Sequence, residues 1–426
     1  MTDNVHPIVG GAGSIPDKPN NQLKERDPSF PHVRLDKEGN VTSNRATIEN
    51  LRELMSACMI HVSYNIITKR LDVWGVNHLP GEAANAASSI LLSKANEYDL
   101  PDKVVSHYLA RVAEENATNP VLGWLETLPA DKIDCPVPEF INRCEFTHEK
   151  WATVAFTRWL IQAVAAADYA TQTPNEDARP EFAYTLVVLG NQGTNKTSGM
   201  RKLLPKEMQI YFTSGKTLDT SNKDSYLAAI SNWIVELGEI DATFRKSDIA
   251  ALKSFLSNPS DEIRKPYARA STMMPRQTCY TATVNVPDFL KDATGNRRYW
   301  PIELEGSIPD MPEELVLRLW QWAWQSYLAG DQWWPTPEEE TLHSNIIGKY
   351  EEKSMEDRIR DCYDFDHASR NVYVTPTEIL REVGGNAREN AQVGRLLNGV
   401  LGIEKPSKSS RTYAMPPRTE ANLWNG

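Results

Sequence analysis

The segment at residues 186–198, which reads LVVLGNQGTNKTS, places the strongest constraint on what this chain can fold into. Its apolar start indicates a buried strand, its Gly-containing centre a tight loop, and its Lys-Thr pair the beginning of a helix. This order is typical of a P-loop, in which backbone N–H groups and a helix N-terminus bind nucleotide phosphates. The pattern predicts that Lys196 reaches the terminal phosphates and that the Thr197 hydroxyl binds Mg²⁺. The candidate nucleotide-binding residues are Gly190, Asn191, Gln192, Gly193, Thr194, Asn195, Lys196, Thr197 and Ser198.

One position departs from the P-loop pattern, because Asn195 stands where the last Gly is expected. The loop needs a tight turn that is often left-handed, and Asn tolerates that conformation better than any residue except Gly. Gly193 supplies a second flexible point in the loop. The substitution is therefore compatible with phosphate binding, and the alternative is a polar strand-to-helix turn that binds no ligand.

A second apolar run, at residues 233–239, ends in the acidic residues Glu236 and Glu239. A carboxylate at the C-terminal end of a parallel strand faces the crevice in which α/β proteins bind ligands. We assign Glu236 to Mg²⁺, directly or through water, and Glu239 to the water that attacks the phosphate. Asp241 is a substitute for either, and the alternative is a solvated acidic turn after a strand.

A third β-prone run, at residues 280–284, ends at Asn285. An amide side chain both donates and accepts hydrogen bonds, so Asn285 can contact a water molecule and the γ-phosphate together. The alternative is that Asn285 caps the turn before Pro287, which is a frequent use of Asn.

Two adjacent arginines, Arg297 and Arg298, follow a turn that contains Gly295. Guanidinium groups match phosphate oxygens and stabilise the negative charge that develops during phosphoryl transfer. In the alternative interpretation, one arginine forms a structural ion pair and the other is solvated.

A basic segment lies between the acidic residues and Asn285. Pro266 interrupts the segment, which suggests a projecting hairpin that binds a phosphodiester backbone and stacks an aromatic ring on a base. Arg276 follows it and adds to its positive charge, and the alternative is a solvated surface loop. The candidate DNA-binding residues of the hairpin are Arg264, Lys265, Tyr267 and Arg269.

Strands that alternate with helices after residue 185 indicate an α/β fold with a parallel sheet. We divide the chain into a disordered tail at 1–43, a mainly helical region with one hairpin at 44–150, a P-loop ATPase core with a helical lid at 151–350, and a C-terminal domain at 351–426.

The C-terminal domain has a capping box at 375–378, a second helix at 390–401 and a basic hairpin at 404–413, a pattern typical of a winged helix. Its candidate DNA contacts are Arg395, Lys405, Lys408 and Arg411, and the alternative is a protein-interaction module.

Composition limits the class of protein. The chain has 426 residues and a net charge of −11, which argues against a protein coated in nucleic acid but permits a local basic channel. Its five cysteines are scattered without a C-x-x-C pair, so we expect neither a zinc site nor a disulfide framework. We expect a cytoplasmic location, because scattered cysteines fit a reducing compartment. We find no signal peptide and no apolar run long enough to span a membrane.

The order of these motifs resembles the virulence-associated protein E family of phages, prophages and satellite elements, whose ATPase core is similar to superfamily-3 helicases. The most specific match is the run LKDATGNRRYW at 290–300, and further matches are at 187–197, 235–239, 265–267, 283–285 and 329–334. The resemblance implies an AAA+-like fold, hexameric rings and ATP-driven movement on single-stranded DNA. It also implies nucleotide sites at subunit interfaces, with Arg297 or Arg298 acting on the neighbour's ATP, and a central pore lined by the 264–269 hairpin.

We therefore predict a Mg²⁺- and ATP-dependent ring helicase that acts in the replication of a phage or mobile element. Its expected partners are single-stranded DNA, double-stranded DNA as a second candidate, further copies of this chain in a hexamer, and a separate primase or loader. One alternative is a DNA-binding initiator or regulator that uses ATP as an assembly switch without unwinding DNA. A second alternative is a small-molecule kinase. That function would not explain the double arginine, the basic hairpin and the C-terminal domain.

Overall fold

The computed structural model describes residues 26–77, 81–168, 182–216, 222–238, 246–263, 271–285, 290, 296–350, 355–385, 389–403, 405–407 and 410–419. The chain divides into two compact units. The larger comprises Met1–Pro287 and Thr294–Lys349, and the smaller comprises Asp288–Ala293 and Tyr350–Gly426. Within the described ranges, no helix combines the length and apolar character needed to cross a membrane.

The N-terminal part of the larger unit is a small helical layer with two hairpins. Thr47 begins the first helix by accepting a hydrogen bond from the Asn50 backbone N–H, as expected of a helix-capping threonine. The hairpin predicted within residues 44–150 is confirmed, since two strands pair antiparallel between His61 and Trp74. The prediction of a tail to residue 43 was wrong at its C-terminal end, because two short strands pair there. The elements are β1 (Val33–Leu35), β2 (Val41–Asn44), α1 (Ile48–Ala57), β3 (His61–Asn65), β4 (Arg70–Trp74), α2 (Ala83–Glu97) and α3 (Lys103–Glu115).

Three helices lead from this layer to the main sheet, namely α4 (Pro120–Leu125), α5 (Val137–Cys144) and α6 (Glu149–Asp168). Helix α6 is buried along most of its length. The indole N–H groups of Trp151 and Trp159 donate to the backbone carbonyls of Pro301 and Tyr280, at 2.7 and 2.8 Å. Buried indoles that find carbonyl acceptors avoid a desolvation cost, so these bonds fix α6 against the sheet.

The main sheet confirms the predicted parallel α/β core. In chain order, the next strands are β5 (Thr185–Leu189), β6 (Phe212–Lys216), β7 (Ile234–Leu237), β8 (Ser260–Ile263), β9 (Thr272–Pro275), β10 (Cys279–Val284) and β11 (Tyr299–Glu303). Five of them form a parallel sheet in the order β11-β5-β10-β7-β6. Strands β8 and β9 form a separate antiparallel hairpin. Strand β5, which leads into the predicted P-loop, therefore has β10 on one side and β11 on the other.

Helices follow the strands as the alternating pattern predicts. Helix α10 carries Trp320, whose indole N–H donates to the Leu203 carbonyl at 2.6 Å and so joins α10 to the end of α7. The helices are α7 (Lys196–Lys202), α8 (Lys223–Ala229), α9 (Lys246–Ser257), α10 (Glu313–Leu328) and α11 (Pro337–Ile347).

The smaller unit contains α12 (Met355–Cys362), β12 (Val372–Val374), α13 (Pro376–Glu382), α14 (Asn390–Gly399) and β13 (Tyr413–Met415). The predicted capping box is present, with Thr375 and Glu378 exchanging side-chain to backbone hydrogen bonds. The hairpin predicted at 404–413 was wrong for the residues described there, because β13 pairs with the distant β12. A winged-helix fold for this unit stays a prediction.

Candidate functional site

The loop between β5 and α7, which carries the predicted P-loop sequence, contains a left-handed turn. Asn195 has φ 55° and ψ 25°, and Gly193 has φ 86°. The Thr194 hydroxyl donates to the Asn191 carbonyl at 2.8 Å and closes the loop. The expectation that Asn195 would adopt the conformation usually given to Gly is therefore confirmed, and the chain enters α7 directly at Lys196.

Lys196 is folded into the loop and is only 7% exposed. Its Nζ donates to the carbonyls of Gly190 and Asn191 at 2.6 and 2.8 Å, and to Oδ1 of Asn285 at 3.0 Å. Burial lowers the pKa of this amine, because a charged group loses hydration there. These oxygens are neutral, so an anion such as a phosphate would give the Lys196 amine the negatively charged partner that it lacks among the described residues.

Glu236 is the buried carboxylate of the site. It is the third residue of β7, is 2% exposed, and accepts at Oε1 from the Thr197 hydroxyl at 2.6 Å and the Thr283 hydroxyl at 2.7 Å. Among the described residues, no Lys, Arg or His forms an ion pair with it. A carboxylate and a threonine hydroxyl at hydrogen-bond distance form a donor set that suits Mg²⁺, which prefers oxygen ligands and takes one or two carboxylates alongside substrate phosphates.

Thr283 was missed by sequence reasoning. It lies on β10, two residues before Asn285, so both side chains lie on one face of the strand. Its contact with Glu236 depends on the register between β7 and β10, in which Thr281 lies opposite Glu236. The alternation along β10 could have suggested Thr283, but the register could not be read from the sequence.

Strand β10 places Asn285 near Lys196, as the contact between their side chains records. Asn285 is exposed and stands just beyond the C-terminal end of β10. Glu239 and Asp241 lie outside the described residues, so the carboxylate assigned to the attacking water stays a prediction.

The two arginines have different surroundings. They belong to a short 3₁₀ helix, Asn296–Arg298, that precedes β11. Arg298 is half-buried, and its Nε donates to the Ser257 hydroxyl at the end of α9, at 2.7 Å. Arg297 is exposed. In the part of the chain that the structure describes, neither arginine hydrogen-bonds to Lys196, Thr197 or Glu236.

The stem of the predicted basic hairpin is present as β8 and β9. Its turn, with Arg264, Lys265, Tyr267 and Arg269, lies outside the described residues. Arg276 was wrongly grouped with the DNA-facing positive charge. It is 1% exposed, pairs with Asp261 through an Nε to Oδ2 bond of 3.0 Å, and lies 4.2 Å from the centre of the Phe255 ring. Arg276 is thus a structural residue.

Three predicted DNA contacts of the smaller unit are exposed. Arg395 lies on α14, while Lys405 and Arg411 precede β13. The Lys405 amine stands 5.2 Å from the centre of the Tyr413 ring. At that distance the ammonium group and the face of the ring attract each other. Lys408 lies outside the described residues.

Comparison with known proteins places the chain in a family. No curated protein matches it. Two solved structures of the C-terminal region of NrS-1, both in the apo state, are similar to it. The first has 12% identity, a TM-score of 0.43, and coverage of 86% of this chain and 98% of that chain. The second has 14% identity, a TM-score of 0.40, and coverage of 83% and 84%. The family model of the virulence-associated protein E-like domain matches residues 126–352, more than half of the chain, and the chain belongs to that family.

Proposed function

We propose that this protein hydrolyses ATP with Mg²⁺ and uses the energy to move along DNA during replication of a phage or mobile element, in the cytoplasm. The observation that carries the proposal is one cluster of side chains at the C-terminal ends of β5, β7 and β10. It brings together a buried amine, a buried carboxylate, a hydroxyl at the start of a helix and an amide. P-loop ATPases need these groups to hold phosphates and metal and to detect the terminal phosphate.

The chemistry assigned to each residue follows from its contacts. Lys196 exchanges its bonds to the Gly190 and Asn191 carbonyls for bonds to the β- and γ-phosphates. Thr197, through its hydroxyl oxygen, and Glu236, directly or through water, would hold Mg²⁺. Bound Mg²⁺ neutralises the charge that develops on the transferred phosphoryl group. Asn285, which accepts from Lys196, detects whether the γ-phosphate is present.

The remaining roles complete a site shared between copies of the chain. Glu239 orients the attacking water, and Arg297 or Arg298 of a neighbouring copy contacts the γ-phosphate in a hexameric ring. The turn of the β8–β9 hairpin faces single-stranded DNA in the pore. The basic residues of the smaller unit, Arg395, Lys405, Lys408 and Arg411, contact duplex DNA through its phosphates.

The test combines ATP hydrolysis, particle mass and strand displacement on one preparation. We expect single-stranded DNA to stimulate hydrolysis, light scattering to give a hexamer-sized mass, and ATP to drive displacement of a labelled strand. Assembly on DNA with ATP but without displacement would replace the motor with the assembly-switch function. Absence of ATP binding would contradict both.

A further inference from the structure

A cavity of about 300 Å³ lies at the opposite end of strand β5 from the P-loop. Its walls are the end of α6, the end of α10 and the segment between α10 and α11. The side chains that give it chemical character are Asp168, Tyr327, Asp331, Gln332, Trp333 and Trp334. Phe182, which precedes β5, packs against Trp333 with 5.7 Å between the ring centres, whereas the P-loop follows the last residue of β5. The cavity is therefore separate from the nucleotide cluster.

Two tryptophan rings form a right-angled corner in the cavity wall. The rings of Trp333 and Trp334 meet at 85°, with 5.0 Å between their centres. In such a corner, one group contacts the flat faces of both rings together. Phe182 is buried and supports Trp333 from within the fold. Because the face of an aromatic ring is electron-rich, a corner of this kind attracts a cation.

The charged side chains that line the cavity are all acidic, within the described part of the chain. They are Asp168, whose Oδ2 accepts from the Tyr327 hydroxyl at 2.9 Å, and Asp331, which is exposed. Arg158 donates to a backbone carbonyl of the wall at 2.5 Å, but its charge is balanced by Glu339 at 3.0 Å. The cavity therefore presents negative charge, which attracts a cation and repels the phosphates of DNA.

The segment that carries the two tryptophans is held in place by hydrogen bonds. Gly330 turns the chain with φ 86°, and the Asp331 backbone N–H donates to the Ser326 carbonyl at 3.0 Å. The side-chain amide of Gln332 donates to the Trp334 carbonyl at 2.9 Å. A wall that is already ordered loses little conformational freedom when a ligand binds, and this favours affinity.

We infer that this cavity binds an arginine side chain of a partner protein. A guanidinium group is planar, so it stacks on an indole face while its N–H groups donate to a carboxylate. Leu328, which is 63% exposed, extends the wall with an apolar surface. A free cation leaves that surface in water, whereas the chain on either side of a partner's arginine covers it. Arginine and tryptophan are also both enriched at protein interfaces.

The experiment titrates the full chain with a pentapeptide, blocked at both ends, that has one arginine between alanines. The matched probe carries citrulline, which has nearly the shape of arginine but no charge. Saturation-transfer NMR, which observes the peptide, measures the affinity of each. We expect the arginine peptide to bind about threefold to thirtyfold more tightly than the citrulline peptide, the range for a cation on an aromatic face.

Four variants test whether binding occurs in the cavity. Trp334→Leu removes one ring of the corner, and Asp331→Asn removes a negative charge from an exposed position. Each should weaken binding of the arginine peptide at least about threefold. Trp74→Leu and Glu340→Gln are the controls and should match the wild type. Trp74 is half-buried as Trp334 is, Glu340 is exposed as Asp331 is, and both lie outside the cavity.

Equal affinity for the two peptides, or an affinity for the arginine peptide that neither cavity variant changes, would overturn the inference. Displacement of the arginine peptide by a single-stranded oligothymidylate would also overturn it, because the corner would then stack bases. Failure of the proposed function gives a different result, since Lys196→Ala should bind the arginine peptide as the wild type does.

Discussion

Two buried polar clusters in the larger unit differ in how their charge is balanced. The phosphate-end cluster consists of Lys196, Thr197, Glu236, Thr283 and Asn285, and the hairpin-base cluster consists of Tyr226, Phe255, Asp261 and Arg276. In the hairpin-base cluster, both oxygens of Asp261 accept from the Arg276 guanidinium, and the Tyr226 hydroxyl adds a further bond. In the phosphate-end cluster, Glu236 accepts only from hydroxyls and Lys196 donates only to neutral oxygens, among the residues that the structure describes.

The difference distinguishes a structural cluster from the candidate functional site. A buried charge is costly unless it is paired, so a fold keeps unpaired charges only where something else repays that cost. Arg276 and Asp261 neutralise each other and fix the base of the β8–β9 hairpin. Under the proposed function, the carboxylate of Glu236 and the amine of Lys196 would be available for a metal ion and a phosphate.

The largest expected effect is a loss of stability when the ion pair of the hairpin-base cluster is broken. Arg276→Met should lower the free energy of unfolding by about 3–5 kcal/mol, because it leaves Asp261 buried without its cation. Chemical denaturation measures the loss. The double variant Asp261→Leu with Arg276→Met should recover most of the stability, since removing both charges can be nearly neutral. If the single variant unfolds like the wild type, the pair is not the main support of the hairpin.

The second effect removes the amine of the unbalanced cluster. Lys196→Ala should lower the ATP turnover rate by at least about 10²–10³-fold, the loss typical when one group that stabilises transition-state charge is deleted. Its unfolding midpoint should stay close to that of the wild type, in contrast to Arg276→Met. Lys206→Ala, which removes an exposed lysine from the turn after α7, is the control. Retained turnover in Lys196→Ala would contradict the proposed function.

The third effect tests whether Thr283 positions Glu236. Thr283→Val keeps the side-chain shape but removes the hydroxyl that donates to Oε1. We expect the Mg²⁺ concentration for half-maximal hydrolysis to rise about tenfold, the lower end of the range seen when groups that orient metal ligands are mutated.

Two variants on the same strand sharpen this result. Thr283→Ser restores the hydroxyl and should restore the Mg²⁺ dependence. Thr281→Val removes a hydroxyl that donates to the Leu186 carbonyl, so it should lower stability without changing the Mg²⁺ dependence. The same shift in Thr281→Val would show that any loss of packing on β10 has this effect.

The smallest effect concerns Asn195. Because its φ of 55° lies in the left-handed region, Asn195→Gly should change stability by less than about 1 kcal/mol and retain hydrolysis. Asn195→Val should cost about 1–2 kcal/mol, because a branched residue is strained in that conformation. Denaturation and the Michaelis constant for ATP measure both variants, and equal behaviour of the two would mean that the turn is not required.

Local features of this fold could be predicted from the sequence, and contacts between distant segments could not. The P-loop strand, the start of α7 and the conformation of Asn195 follow from neighbouring residues. The burial of Arg276 depends on Asp261 across a hairpin, and the role of Thr283 depends on the register of β10 with β7. The predicted hairpin at 404–413 failed for the same reason, since Tyr413 pairs with the distant Val374.

The most direct test of the central claim is a calorimetric titration of the wild-type protein with ATP, with and without Mg²⁺. Because Glu236 and Lys196 lack oppositely charged partners among the described residues, we expect each chain to bind one nucleotide. The dissociation constant in Mg²⁺ should lie between about 1 μM and 1 mM, as for typical enzyme substrates. Binding without the metal should be weaker. Absence of binding in Mg²⁺, or binding that Glu236→Gln and Lys196→Ala both leave unchanged, would contradict the account.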